Sequence, residues 1–243
     1  MKIERRDLLR SLLTMAAALA GHGLGRPVFA QPMPMSAPKA RRVSLGLLLD
    51  PATSEGRGAA LGLDEARRVG ELLHVEISSG PTSEFVLIGA APPKRETKAL
   101  FLAAAGPEGA ASHVAPWNVT SSPAFRQQAL ARHADRKELR AVDWHAGLMK
   151  FGAEELNVRF RRRFGRPMDE RSWHGWVAVK CAVELALRYP GGSPREKIGG
   201  LRLDGHKGMM LRFDPKDRHL VQPVYLVDAA GRMVEAVEPE WKE

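Results

Sequence analysis

The side chains here that could do chemistry are mostly hydroxyls, gathered in one short stretch. Trp117-Asn118-Val119-Thr120-Ser121-Ser122-Pro123 places an amide and three hydroxyls just after an apolar segment and just before a helix. Hydroxyls and free backbone N–H groups at a strand-to-helix junction can hold a carboxylate or another polar group of a small ligand. In a parallel sheet, ligands bind at the carboxyl ends of the strands. A plainer reading fits the same residues: Ser122 caps the helix that Pro123 opens, and Asn118 makes a turn. Both readings stand on the sequence. Ser78-Ser79-Gly80, after an earlier apolar segment, is a weaker candidate of the same type.

Catalytic signatures are absent. There is no Gly-x-Ser-x-Gly, no Walker loop, no His-Glu-x-x-His and no Gly-x-Gly-x-x-Gly straight after a strand. Gly56-x-Gly58 followed by Gly62 has the wrong spacing for a dinucleotide loop and reads as loop and helix entry. His133, Asp135, Asp143 and His145 are metal-ligand types close in sequence, but His133 and Asp135, two apart, do not share a helix face. Solvated side chains at element ends are the expectation for them, and for His206 and His219. The single cysteine, Cys181, permits neither an intramolecular disulfide nor a thiolate metal site. The expectation is therefore no enzyme, no catalytic residue, no metal and no cofactor.

The elements that must position the hydroxyl loops follow from periodicity. Val43–Leu49 is a continuous apolar run, the mark of a strand buried on both faces. A helix follows over about Ala59–Leu73, then strands at His74–Ser78, Glu84–Ile88 and Ala99–Ala103. Strand–helix–strand order with apolar strands argues an α/β fold with a parallel sheet flanked by helices. Ser122-Pro123 opens a helix to about Ala134, and Arg140–Trp144 is a weak strand. Ala153–Phe164 is amphipathic, with Leu156, Phe160 and Phe164 on one face and Arg159, Arg162 and Arg166 on another. A helix capped by Asp169 runs to about Arg188, apolar nearly all round except for Lys180, Glu184 and Arg188, and so is mostly buried. The tail, from Gly208 to Val237, reads as a closing β meander.

The 243 residues carry a formal net charge of +9 and 44% hydrophobic residues, ordinary for a globular chain with a core. The charge is spread out, which is no nucleic-acid signature. The run Arg159, Arg161, Arg162, Arg163 and Arg166 reads as a solvated helix surface. The first thirty residues read as a twin-arginine export signal. Arg5-Arg6 is followed by a weakly apolar run from Leu12 to Leu24 and a small-x-small site at Val28-Phe29-Ala30. That run is too short and too rich in Ala and Gly to span a bilayer stably. The expected organisation is a signal over 1–30, a flexible leader over 31–42 and one α/β domain over 43–243. The expected location is the periplasm, with no stable membrane insertion.

Two segments carry a family resemblance. One is Gly152-Ala-Glu-Glu-Leu-Asn157-x-Arg159-Phe160, continuing through Phe164-Gly-Arg-Pro167-Met168-Asp to Arg171, Trp173 and Trp176. The other is Leu203-x-Gly205-x-Lys207-Gly208-x-x-Leu211-x-Phe213, ending at Gln222-Pro223-Val224. They resemble the periplasmic substrate-binding proteins of ABC transporters, in the leucine/isoleucine/valine-binding class with the type I fold. Within that class they are most similar to the branch associated with PQQ-dependent alcohol catabolism. Gly58-Ala59-x-Leu61-Gly62-x-Asp64-Glu65-Ala66-x-Arg68 and Asn118-Val119-Thr120 fit the same pattern. The family binds solute between two lobes. Here only Ser121–Phe151 joins the segments between which a full lobe would lie, so the chain resembles a shortened form, one lobe plus a stub.

The resemblance implies a non-enzymatic solute-binding-like protein of an ABC-type uptake or PQQ-dependent alcohol oxidation system. Asn118, Thr120, Ser121 and Ser122 would face the ligand, with Ser78 and Ser79 on the neighbouring loop. The partners it implies are a small-molecule solute and an ABC permease. The alternative is a degenerate lobe serving as an accessory subunit of a periplasmic dehydrogenase or its cytochrome, or pairing with itself as a homodimer.

Overall fold

The structure is a computed structural model that describes residues 41–93, 97–105 and 115–240. The expected export signal, and the leader as far as residue 40, lie outside the described residues. Strand β1 (Arg41–Leu48) starts two residues before the apolar run that announces it. It is followed by α1 (Ser54–Leu72), β2 (Val75–Gly80), β3 (Val86–Gly89), β4 (Leu100–Ala103) and β5 (Trp117–Asn118). These five strands form one parallel sheet in the order β2-β1-β3-β4-β5.

Helix α1 begins earlier than the expected Ala59, because the Thr53 hydroxyl accepts from Gly56 N at 3.1 Å and satisfies a first-turn donor. Gly56, Gly58 and Gly62 therefore lie inside a helix, which corrects their reading as loop. Gly56 packs on the Asp50–Pro51 turn, while Gly58 and Gly62 serve contact with α4 (Glu170–Arg188), whose Asp169 cap forms as expected, accepting from Ser172 N at 2.7 Å. A Cβ on Gly58 would lie 1.7 Å from Ser172 O, and one on Gly175 would lie 1.9 Å from Glu55 O. The two helix backbones touch, and side chains are excluded from the crossing.

The passage from β2 to β3 contains no helix. Residues 81–85 cross directly over β1, where Ser83 Oγ donates to Ser44 O at 2.8 Å. Gly46 makes this possible, since a Cβ there would meet Ser83 N at 3.2 Å and overlap Leu87.

Alternation along β3 and β4 divides the apolar side chains between the two sheet faces. Val86, Ile88, Leu100 and Leu102 join the main core with α1, α4 and α3 (Ala153–Phe164). Leu87, Ala99, Phe101 and Ala103 form a separate small cluster. Trp144 and Trp173 stack within the main core at 5.7 Å between ring centroids. Their indole N–H groups donate to Asn157 Oδ1 and Gly205 O, as buried indoles require.

After β5 come α2 (Pro123–Ala131), β6 (Arg140–Val142), α3, α4 and the short α5 (Pro194–Lys197). The tail holds β7 (Leu203–Asp204), β8 (Met210–Phe213), β9 (Leu220–Val221), β10 (Val224–Val227) and β11 (Met233–Val237). These strands do not make the single meander expected from sequence. β7-β8-β9 is one antiparallel sheet, and β10 pairs with β11 on one side and with β6 on the other. Ala129 of α2 packs on the second sheet with Leu139, Val224, Leu226 and Val237.

Candidate functional site

The loop after β5 is bound into the fold rather than held out to solvent. Asn118 N donates to Arg218 O at 2.7 Å, and Leu220 N donates to Thr120 O at 3.1 Å. These bonds fasten the end of the parallel sheet to the β8–β9 hairpin. Asn118, Thr120 and Ser121 are all buried. Thr120 Oγ1 lies 3.3 Å from His219 Nδ1. Ser122 caps α2, accepting from Phe125 N at 3.2 Å, so the plainer reading of that residue holds.

Ser121 belongs to a buried polar cluster centred on Asp143. Its N–H donates to Asp143 Oδ2 at 3.0 Å, its hydroxyl donates to Asp143 Oδ1, and it accepts from Arg126 Nε at 2.9 Å. Arg126 Nη2 bridges Asp143 and Glu170. His174 Nε2 lies 2.8 Å from Asp143 Oδ2. Burial raises the Asp143 pKa, but the hydrogen bond and charge of His174, then Arg126 and Lys207, outweigh it and hold the carboxyl well below the usual carboxylate range. Arg126 is shifted the other way: burial lowers its pKa, and Asp143 and Glu170 overcome that and raise it.

Lys207 reaches the same cluster from the opposite side. Its ammonium donates to Asp143 O, to Gln222 Oε1 at 2.6 Å and to Pro223 O at 3.4 Å, over the face of Trp173. Burial pushes its pKa down to about 7, against the pull of Asp143 and Glu170. Gln222 in turn donates to Val119 O at 3.0 Å. Lys207 and Gln222 thus tie β6, the β7–β8 turn, β10 and the β5 loop together.

Ser, Asp and His meet here, but not as a hydrolytic triad. Asp143 sits between the other two, so His174 cannot take a proton from Ser121. Asp143, Glu170 and His174 also present atoms within 4.8 Å of one another, a spacing a metal could use. The Arg126 guanidinium already lies between the two carboxylates and supplies their positive charge. The four residues grouped in the sequence separate: His133 Nε2 pairs with Glu235 at 2.6 Å, and His145 Nε2 donates to Gly231 O at 2.8 Å. Asp143 is fully buried, so its reading as a solvated group is corrected. His219 is likewise buried.

Ser78 and Ser79 are exposed and half-buried at the end of β2. β2 and β5 are opposite edges of the five-stranded sheet, separated by four strand spacings, roughly 19 Å. These serines are therefore not on a neighbouring loop to Asn118–Ser122, and the two sets cannot hold one small ligand.

An open cleft of about 640 Å³ lies beside the β5–α2 junction. α2 and its two caps contribute Ser122, Phe125 and Arg132, and the β8–β9 hairpin contributes Phe213, Lys216 and His219. Glu238 and Glu240, after β11, form a third wall. The lining thus includes aromatic rings and charges of both signs. The lining has the chemistry of a polar-ligand site, and no nucleophile paired with a base is found among its described residues. Of the six hydroxyl and amide residues expected from sequence, Ser122 lines the cleft, and Thr120 adjoins it through His219. Sequence reading missed Lys216, Glu238 and Glu240; the charged turn Asp214–Asp217 was their one local signal.

Comparison with known proteins places the fold. No protein-family model and no curated protein sequence matches the chain. Among solved structures it is similar to a branched chain amino acid ABC transporter periplasmic ligand-binding protein from Burkholderia xenovorans LB400. The TM-score is 0.52 at 11% identity, over 81% of this chain and 96% of that one. It is also similar to an ABC transporter solute binding protein from R. palustris in complex with 4-hydroxybenzoate. There the TM-score is 0.52 at 10% identity, over 82% of this chain and 98% of that one. The likeness is one of fold: an α/β architecture with a parallel sheet flanked by helices, as in type I periplasmic binding proteins.

Proposed function

We propose that this chain is a non-enzymatic, exported solute-binding protein of the periplasm, serving an ABC-type uptake or PQQ-dependent alcohol oxidation system. The observation that carries this reading is the place of the cleft. It opens at the carboxyl end of an edge strand, where open α/β sheets bind ligands. Its lining of aromatic rings and charges of both signs suits a small solute that carries both a flat or branched apolar part and an ionised group. The fold likeness supports a binding role over a catalytic one. The twin-arginine signature of residues 1–30 supports export. No described helix is long and apolar enough to cross a membrane.

The test is thermal unfolding with a panel of branched amino acids, short alcohols and their acids, aromatic acids, PQQ and metal ions. A ligand at a hundred times its dissociation constant stabilises the fold by about 2.7 kcal/mol. A shift with one chemical class, reduced by Lys216→Ala or Glu238→Ala, supports solute binding in the cleft. A folded protein that ignores the whole panel overturns it.

A second reading has one observation in its favour. The last turn of α1 and its C-cap expose Val69, Leu72 and Leu73, with Leu72 81% exposed. An accessory subunit docking on a periplasmic dehydrogenase or its cytochrome would use such a surface.

A further inference from the structure

The arginines of α3 do not stand alone. α3 buries Ala153, Leu156, Asn157 and Phe160. Successive residues of a helix are turned by about 100°, so Arg161, Arg162 and Arg163 fan across the opposite, solvent side, and all three are exposed. Arg166, just past the Gly165 cap, is exposed as well. Ion pairs tie this group to α1. Arg159 Nε lies 2.8 Å from Glu65 Oε1, and Arg163 Nη1 donates to Asp64 and, at 3.2 Å, to Ala60 O. Arg67 Nη1 is 4.0 Å from the same Asp64 carboxylate, and Arg68 lies one turn beyond it. Arg67 and Arg68 are both exposed. Two helices distant in sequence therefore join their arginines into one surface.

Carboxylates do not balance it. Asp64 and Glu65 are half-buried and committed to the bonds just described, and Glu65 also accepts from Trp176 Nε1 at 2.8 Å. Glu71, in the last turn of α1, is exposed. Glu154 and Glu155 belong to the first turn of α3, about 9 Å or more along its axis from Arg161. Among the described residues, none of Arg68, Arg161, Arg162 and Arg166 has an ion-pair partner. Like charges held this close repel one another, and an anionic counter-surface relieves that repulsion.

The chemistry of the surface selects its partner. Guanidinium forks match phosphate oxygens bidentately. None of these arginines lines the cleft. They stand on the solvent sides of two helices, which suits a broad array of phosphates rather than one enclosed ion. α1 and α3 offer no exposed aromatic ring for base stacking: Phe164 is half-buried, with the Arg163 guanidinium 5.1 Å from its centroid. Val158, 44% exposed and one turn before Arg162, adds an apolar contact on the same solvent side. We infer that α1 and α3 present a basic face that docks the protein peripherally on an anionic phospholipid bilayer. Clusters of this size hold a protein at such a surface through charge, without a spanning helix.

Cosedimentation of the full chain with lipid vesicles tests this. One set is phosphatidylcholine alone, and the other carries about 30% phosphatidylglycerol, a fraction that gives the surface a negative potential. Wild type is expected to sediment with the anionic vesicles, to ignore the neutral ones, and to be released by about 0.5 M salt. Arg161→Glu/Arg162→Glu/Arg166→Glu alters exposed side chains without ion-pair partners and is expected to keep the wild-type thermal midpoint. Its partition onto anionic vesicles is expected to fall by about tenfold or more. The control is Lys98→Glu/Lys137→Glu/Arg140→Glu, three exposed residues on other elements with the same change in net charge. It is expected to fall much less. Residues 1–40 are common to all three proteins, so any contribution from them cancels in the comparison. Wild type that stays in the supernatant with anionic vesicles overturns the proposal and leaves the face to an acidic protein. Equal binding to neutral vesicles, binding that survives high salt, or an equal fall in the two variants overturns it as well.

Discussion

Arg126 Nη2 lies 2.5 Å from Asp143 Oδ2, joining the first helix after the parallel sheet to the end of β6. Asp143 is fully buried and Arg126 about three-quarters so, and the same guanidinium reaches Glu170 at 2.7 Å. The hydroxyl loop that the sequence offers for ligands is organised around this pair.

Removing the carboxylate leaves Arg126 and Lys207 with less compensating charge inside the fold. Breaking a buried pair from one side costs about 3–5 kcal/mol. Asp143→Asn is expected to destabilise by about that amount in urea unfolding, with the slope of the transition unchanged. A loss below about 1 kcal/mol would show that the cluster is not a structural keystone.

Ser121→Ala separates structure from ligand binding. The Ser121 hydroxyl already donates to Asp143 and accepts from Arg126. Its loss is expected to cost about 1–3 kcal/mol, because buried partners are left unpaired. Any ligand-induced rise in melting temperature should survive. An unchanged stability together with lost ligand response would return Ser121 to the binding site.

Two pH windows follow from the same cluster. Asp143 has a folded pKa below its ordinary 3.8, so its contribution is complete above about pH 4 and is lost as pH falls further. Lys207 has its folded pKa lowered from 10.5 to about 7. Between those values the unfolded chain binds more protons, so stability rises with pH across that interval and is least, for this group, below pH 7. Lys207→Met is expected to abolish the rise, read as unfolding free energy against pH from 6 to 10. Persistence of the slope in that variant would assign it to another group.

The α1–α4 crossing offers a packing test. Gly58→Ala places a methyl 1.7 Å from Ser172 O, which neither helix can yield without separating. The alanine gains up to about 1 kcal/mol in helix propensity. Overpacking against backbone costs about 1–3 kcal/mol or more and wins. A net destabilisation measured by thermal unfolding is expected, and a stabilised Gly58→Ala would mean the helices are further apart than described.

The sequence alone determined the parallel α/β class, the apolar strands, the near-total burial of α4 and the cap at Asp169, and it offered the cap at Ser122 as one of two readings. Each of these depends on local pattern: runs of apolar residues, helical periodicity, or a side chain reaching a backbone N–H three residues on. The resemblance singled out Gly205-x-Lys207-Gly208, but nothing local says that Lys207 points inward to Asp143 O while its neighbours Gly208 and Met210 are exposed. Only the tertiary structure decided that β2 and β5 are opposite edges, so that Ser78 and Ser79 part company with Thr120 and Ser121. Strand order depends on which edges pair, and the short 81–85 crossover over Gly46 gives no periodic signal of it. Tertiary structure also decided that Asp143, a residue of solvent-exposed type, is the centre of a buried network. Its charge becomes tolerable in the core once Arg126, His174 and Lys207, from three distant parts of the chain, converge on it.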